Sequence, residues 1–325
     1  MSKFSVQNAI NGSVVYGDLR GDGSTDLQFS RTASTEVASG YASLITGGAR
    51  NTASGDFAVV IGGLNNTSSG EGAVCAGSGN TAAGLNSLAL GYQCQAIGDG
   101  SVAMGAGSIS NGTLSLAIGS GAVTNAPYSA IVNSEFSTNT STAVGSVVLS
   151  GTQAIAYLPG QLVTHSRNTF QSLSIPGELG TMQVSELLMF RQAEFSGIGA
   201  SINLELTLDG NIPAIINQLT MYGNDKVWNI TADTTITNTA DKTVMISKDV
   251  IGVKKVFGTV TAVYIDNISK RGDSALTSTF TVSFLAGTGG VDLQIFASGT
   301  LGFSPNSRVI RVATKLNIVE LKNQT

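Results

Sequence analysis

Ser101-Val-Ala-Met-Gly105 is one of a series of apolar boxes that decides the fold of this chain. Upstream lie Ser43-Leu-Ile-Thr-Gly47, Ala58-Val-Val-Ile-Gly62, Ala73-Val-Cys-Ala-Gly77 and Ser87-Leu-Ala-Leu-Gly91; downstream lies Ser115-Leu-Ala-Ile-Gly119. Ser129-Ala-Ile-Val-Asn133 is a degenerate seventh copy. The box glycines are spaced 15, 15, 14, 14 and 14 residues apart. Gly40, Gly55, Gly70, Gly84, Gly98 and Gly112 keep step with them until Ala126 breaks the pattern. A fixed period with box and corner in register is the mark of a solenoid.

Within each box, large apolar and small side chains alternate. The large set is Leu44, Val59, Ile61, Val74, Leu88, Leu90, Val102, Met104, Leu116 and Ile118. Period-two alternation describes a strand with two unlike faces. A coil of fourteen residues leaves about five for each of two strands and two for each turn, so the coil is thin. Such a coil buries little by itself, and its large apolar face requires burial against copies of the same chain. Asn51, Asn66 and Asn80 recur just past the box glycines and are expected at tight corners.

The box and its period resemble the YadA-like head repeat of trimeric autotransporter adhesins. The resemblance implies an all-β, left-handed parallel β-roll solenoid in which three chains pack side by side. Gly17-Asp-Leu-Arg-Gly21 and Asp26-Leu-Gln-Phe-Ser-Arg31, running into Val37-Ala-Ser-Gly40, resemble the lead-in to this repeat in bacteriophage fibre proteins. The adhesins themselves begin with a signal peptide and end in a membrane anchor. Met1–Ser13 has no apolar h-region, and no anchor pattern follows a coiled coil, so a secreted adhesin is the weaker expectation.

Four segments are expected. Residues 1–38, with turn signals around short pieces at Ser13–Tyr16 and Asp26–Phe29, form an N-terminal attachment or capping segment. Residues 39–134 are the roll, and 135–160, with a polar run and Leu158-Pro-Gly160, form a linker. Residues 161–325 carry strand-like runs at Met182–Phe195, Ser201–Leu208, Ile212–Tyr222, Lys226–Thr231, Thr243–Ile246, Lys254–Ile265, Thr279–Phe284, Val291–Ala297 and Arg308–Glu320. Turn clusters separate them, which argues for a β-sandwich or jelly-roll-like module. This module resembles the β-rich terminal domains that follow such repeats in phage fibres.

The composition narrows the chemistry. The 325 residues include 40 glycines, 42% apolar residues, 6% aromatics and 12% charged residues, with a net charge of −4. Apolar content at regular spacing separates the chain from glycine-rich disorder. No basic stripe follows a phosphate backbone, so no nucleic acid is expected. No run of eighteen apolar residues exists, so no membrane helix is expected. Cys75 and Cys94 sit at different offsets from their box glycines and read as buried free thiols, consistent with assembly in a reducing host cytoplasm. His165 is the single histidine, which leaves no ligand set for zinc and little for a nucleophilic triad. No cofactor and no metal are expected.

Glycan cleavage would need two carboxylates at set spacing. The supply is Glu186, Glu194, Glu205, Asp209, Asp233, Asp241, Asp249, Asp266 and Asp273, with nothing to select a pair. Trp228 and Tyr222 read first as core aromatics of this module, and they are also the pair nominated for stacking on a sugar. The expectation is a non-enzymatic virion protein: a homotrimeric tail fibre or spike that attaches to a host surface glycan. Its other partners would be tail or capsid proteins met through the N-terminal segment. The alternatives are a head or collar fibre of the same fold, a glycan depolymerase and a bacterial adhesin.

Overall fold

The computed structural model describes residues 4–5, 20–168, 181–195, 201–208, 226–239, 242–256, 259–274, 280–286, 293–300 and 308–322. The elements bounded within them are all strands, and the chain divides into two compact units, Met1–Ala156 and Tyr157–Thr325. Among the described residues no helix is long and apolar enough to cross a membrane. The expected strand Ser13–Tyr16 and the run Ile212–Tyr222 lie outside the described residues.

The first unit is a parallel β-solenoid of nine coils. One sheet stacks the boxes in register: Leu44 pairs with Val59, Val59 with Val74, Val74 with Leu88, Leu88 with Val102, and Val102 with Leu116. The second sheet has eight strands of two residues each, from Thr52–Ala53 to Ile155–Ala156. Five residues per strand on both sides was therefore half right. The box strands reach five or six residues in the central coils and the opposing strands only two, with corners taking the rest.

The roll also runs further than its glycine marks suggest. Thr25–Asp26 pairs with Leu44–Ile45, so residues from Arg20 onward form a coil before the first box. Val147–Val148 pairs with Ala130–Ile131, and Ile155–Ala156 with Thr138–Asn139. Residues 135–156 are thus coil rather than linker. The period there lengthens and Ser134 takes the place of the box glycine opposite Gly119, which hides the repeat.

Inside the roll the side chains are small. Ile45, Val60, Cys75, Ala89, Ala103, Ala117, Ile131 and Val148 form one sealed column. Ala53, Ser68, Ala82, Ala96, Ser110, Thr124, Asn139 and Ala156 form another. Asn51, Asn66 and Asn80 also point inward and do not form the left-handed corners expected of them. The Nδ2 of Asn66 and of Asn80 reaches back to the Oδ1 of the asparagine one coil before, at 3.2 Å to Asn51 and 3.0 Å to Asn66, while Asn51 Nδ2 donates to the Gly47 and Gly63 carbonyls. The left-handed backbone falls one residue earlier, at Arg50, Asn65 and Gly79. Gln28 continues the ladder upstream, accepting from the Asn51 N–H and donating to its carbonyl. Asp26 takes the column position of Ile45 and is held by Arg31 at 2.8 Å and Arg20 at 3.5 Å. The strand Phe4–Ser5 pairs in parallel with Thr25–Asp26, so this charged station lies inside the stack.

The second unit has nine described strands: β1 (Leu162–Asn168), β2 (Thr181–Phe195), β3 (Ser201–Glu205), β4 (Lys226–Asn238), β5 (Thr243–Val256), β6 (Thr259–Gly272), β7 (Phe280–Ala286), β8 (Leu293–Thr300) and β9 (Arg308–Lys322). They make an antiparallel sheet β1-β2-β9-β4-β5-β6 and a second, β3-β8-β7. One apolar core joins the two sheets: Met189, Ile230, Met245, Ile251 and Leu316 from the first meet Leu204, Phe280, Phe284 and Ile295 from the second. Two antiparallel sheets sharing a core is the layered arrangement of a sandwich. β4 outruns its expected end at Thr231 because Ala232, Thr234, Ile236 and Asn238 continue the buried alternation.

Candidate functional site

Three places were singled out as functional or structural determinants: the box glycines, the large apolar positions, and the aromatics and carboxylates of the second unit.

The glycines are contact points between coils. A Cβ on Gly77 would stand 2.1 Å from the Gly91 carbonyl oxygen, and one on Gly91 or Gly105 would meet its successor at 2.1 or 2.0 Å. Gly77, Gly91, Gly105 and Gly119 also hold positive φ, from 115° to 154°. Gly47 and Gly62 do not share this role. A bulge after Val60 sets Gly63 opposite Gly77, and in the two early coils the crowded positions are Gly48 and Gly63. A Cβ on Gly47 or Gly62 would meet no heavy atom closer than 3.9 Å. The even spacing of the box glycines is therefore off by one residue from the structural register in those coils. The second glycine series is equally crowded: a Cβ on Gly40, Gly55, Gly70, Gly84, Gly98 or Gly112 would stand 1.9–2.2 Å from the next coil's carbonyl oxygen.

The large apolar positions form two outward columns rather than the core of the single chain. Leu44, Val59, Val74, Leu88, Val102 and Leu116 make the first, all half-buried. Leu90, Met104 and Ile118 continue the second from Ile61, which is 58% exposed. The pleat dictates this: with Ala89, Ala103 and Ala117 sealed inside, their neighbours must face out. The result is a straight, uncharged, apolar strip along one face of the roll.

Corner strain was not legible in the sequence. Phe57, Leu114 and Tyr128 adopt φ of 58°, 52° and 57°, at positions that Gly72 and Gly100 fill in other coils. A side-chain-bearing residue in this region costs about 1 kcal/mol. The period itself is the only signal that could have marked these positions.

In the second unit Trp228 is fully buried, and no face of its ring is open to a sugar. The stacking role assigned to it is corrected by its place in a buried polar centre. Glu320 accepts from Trp228 Nε1 at 2.6 Å, Tyr157 Oη at 2.6 Å and Lys226 Nζ at 2.7 Å. Lys226 also lies 4.9 Å from the centroid of the Tyr157 ring. Three donors around one buried carboxylate satisfy it, so the centre fastens β4, β9 and Tyr157 together. Tyr222 lies outside the described residues.

Four of the carboxylates have separate partners. Glu186 pairs with Lys315 at 2.9 Å, Asp233 with Lys248 at 3.9 Å, Glu205 accepts from Gln294, and Asp273 accepts the Val244 N–H. Asp209 and Asp241 lie outside the described residues. Asp249 is the exception: it is buried, it accepts from Asn267 at 2.6 Å and Ser247 at 2.9 Å, and its pKa is raised by burial, with Asp233 adding to the rise. His165 lies in β1 opposite Val184. No group of three or more His, Cys, Asp or Glu that could hold a metal is present among the described residues.

With the coil geometry established, the family match is direct. A model of the YadA head domain repeat matches residues 68–93, 82–108, 96–122 and 110–129. Residues 68–129 are similar to YadA head repeats. The register shows why the match falls there, because these coils are the ones with the strict 14-residue spacing and the crowded glycine in the box. No curated protein matches the chain. Among solved structures it is similar to the tailspike protein of Acinetobacter baumannii phage AM24, with 11% identity over 91% of this chain and 57% of that one and a TM-score of 0.24. The tailspike of Acinetobacter phage vB_ApiP_P1 gives 9% identity over 94% and 55%, with a TM-score of 0.26. The tailspike protein gp49 of Acinetobacter baumannii bacteriophage Fri1, a capsular polysaccharide depolymerase, gives 12% over 89% and 53%, with a TM-score of 0.17. The chain spans a little over half the length of each.

Proposed function

We propose that this protein is a non-enzymatic virion component, a homotrimeric phage tail fibre or spike that attaches to a host surface glycan. The observation that carries the reading is the outward apolar strip of Leu88, Leu90, Val102, Met104, Leu116 and Ile118 on a roll whose own interior is already filled. An uncharged strip of this length on a YadA roll is supported as an assembly face, because burying it against two other copies removes it from water. Three copies would then present three terminal units, and weak glycan contacts would act together. The N-terminal segment would lie toward the particle.

Sedimentation equilibrium of the full chain should return three times the 33.1 kDa protomer. A Leu90→Asp, Met104→Asp double variant should return the protomer alone while keeping its β spectrum. A monomer from the wild-type chain at micromolar concentration would sink the trimeric rod.

Glycan cleavage is the second reading, and Asp249 favours it. A buried carboxyl whose pKa is raised is the kind of group that serves as a general acid. If incubation with the protein shortens a host polysaccharide and Asp249→Asn abolishes the shortening, the cleavage reading replaces the first.

A further inference from the structure

The attachment reading needs a sugar-binding surface, and Trp228, sealed in the core, does not supply it. The outer face of the six-stranded sheet supplies one. Leu188, Phe190, Gln192, Thr235, Arg311 and Ala313 line an open groove of about 420 Å³. Its floor is two rungs of three strands: Phe190, Ala313 and Thr235 stand opposite one another, and Gln192, Arg311 and Thr237 make the next rung. Strands lie about 4.8 Å apart and same-face rungs about 7 Å apart, a footprint that suits one sugar ring. The small Ala313 side chain leaves the middle of the upper rung low. The Phe190 ring, 40% exposed, stands on one side of that gap and the Thr235 hydroxyl on the other.

The charge in the groove is one-sided. On the rung beyond Phe190, made by Leu188, Lys315 and Asp233, Lys315 is paired with Glu186 from one rung further and Asp233 lies near Lys248. Glu194, one rung outward from Gln192, also has a partner. Arg311 is exposed and donates through Nε to Gln192 Oε1 at 2.7 Å. That bond fixes the plane of the guanidinium and leaves its two outer nitrogens as a fork. A planar fork of this kind matches a carboxylate with two parallel hydrogen bonds. Apolar surface with a few placed polar groups is the general composition of a small-ligand site.

We propose that this groove is a subsite for an acidic sugar, in which Phe190 receives the apolar face of the ring, Thr235 meets a ring hydroxyl and Arg311 clamps the carboxylate. The proposal rests on the attachment reading and assigns its ligand class. A neutral sugar would satisfy Phe190 and Thr235 and leave the Arg311 fork empty, so the site discriminates by charge.

The test uses the full-length protein and saturation-transfer NMR with glucuronic, galacturonic and N-acetylneuraminic acids, against glucose and galactose as neutral probes. Transfer to the ring C–H protons of at least one acidic sugar is expected, with at least a tenfold preference over both neutral ones. Phe190→Ala and Arg311→Gln should each remove it, and Phe190→Tyr should keep it. Both positions are on the surface, and unchanged melting of the variants checks that they fold. No transfer to any acidic sugar, equal transfer to the neutral ones, or variants that behave like wild type would overturn the proposal. Adsorption to a panel of encapsulated bacterial strains separates the two levels. Adsorption that both variants retain removes this subsite and leaves attachment standing, whereas no adsorption by the wild type removes both.

Discussion

In the roll, the largest buried side chains of residues 66–129 are asparagines, and Ala89, Ala103 and Ala117 fill the centre of the box column. In the terminal unit, Trp228, Phe280, Met189 and Ile230 are fully buried in one core. The first interior is defined by what is absent. Coils approach so closely that a methyl group has no room at the corner glycines, and stability comes from register-perfect backbone bonding and internal amide ladders. The second is defined by what is present, since bulky apolar volume offsets the entropy of ordering long strands. The two units should therefore fail for opposite reasons, the roll when atoms are added and the terminal unit when they are removed.

Adding one carbon gives the largest effect. A Cβ on Gly98 would sit 2.2 Å from the Gly112 carbonyl oxygen and 2.5 Å from its carbon, both backbone atoms fixed by the next coil. Gly98→Ala should destabilise the roll by about 4–5 kcal/mol, in the range where a single change is diagnostic. Trp228 is the single tryptophan, so its fluorescence reports the terminal unit alone while far-UV dichroism reports both. Urea titration should move the dichroism transition and leave the fluorescence midpoint in place. Joint movement of the two would mean that the units do not unfold independently.

Removing atoms is the converse test. Trp228→Ala should cost about 4 kcal/mol, from the cavity and from the donor lost to Glu320. Trp228→Phe, which fills most of the space and loses only the N–H, should cost about half of that. If the two variants are equal, the hydrogen bond to Glu320 outweighs packing, and the contrast with the roll is weaker than drawn.

Asn66 tests the roll's ladder at a smaller scale. Its side chain bonds Asn51 Oδ1 and the carbonyls of Gly62 and Gly77, and accepts the Asn80 N–H. Asn66→Ala leaves these buried groups without partners and should cost about 2–3 kcal/mol in urea titration. Asn66→Ser should cost less, because Ser108 at the same station of a later coil bonds the Met104 and Gly119 carbonyls. A Ser variant as weak as Ala would show that the amide-to-amide contacts, and not the carbonyl contacts, hold the ladder.

Legibility divides along the same line. The roll could be read because its contacts join residues fourteen apart, so one period carries both strand pairing and glycine spacing. Reading failed where the period slips. The bulge after Val60 moved the crowded glycine from Gly62 to Gly63, and intervals of nineteen residues from Thr25 to Leu44 and seventeen from Ala130 to Val147 hid the outer coils. In the terminal unit the alternation marked most strands, but antiparallel pairing brings together Phe190, Thr235 and Arg311 from three distant runs. Local pattern carries no information on which strands become neighbours, so the groove could not be seen. The same gap left Trp228 open between core and sugar contact: alternation gives two faces without saying which one meets the core, and the structure puts it in the core.

Cys75 gives the smallest effect at neutral pH, because its contribution changes only in alkali. Burial in the box column pushes its thiol up to about 12 from an ordinary value of 9.0. The folded pKa lies above the unfolded one, so the contribution is fully present below pH 9 and is lost as the pH rises toward 12. Above pH 9 the unfolded chain releases a proton that the folded chain retains, and stability should fall by about 1.4 kcal/mol per pH unit. Cys75→Ala should remove that share of the slope at little cost, since Ala89, Ala103 and Ala117 occupy the same column in the following coils. Iodoacetamide at pH 8 should leave Cys75 unmodified in the folded protein and label it after denaturation. Labelling of the native chain would mean that the coils around Cys75 open readily, and the sealed interior that sets the roll apart from the terminal unit would have to be abandoned.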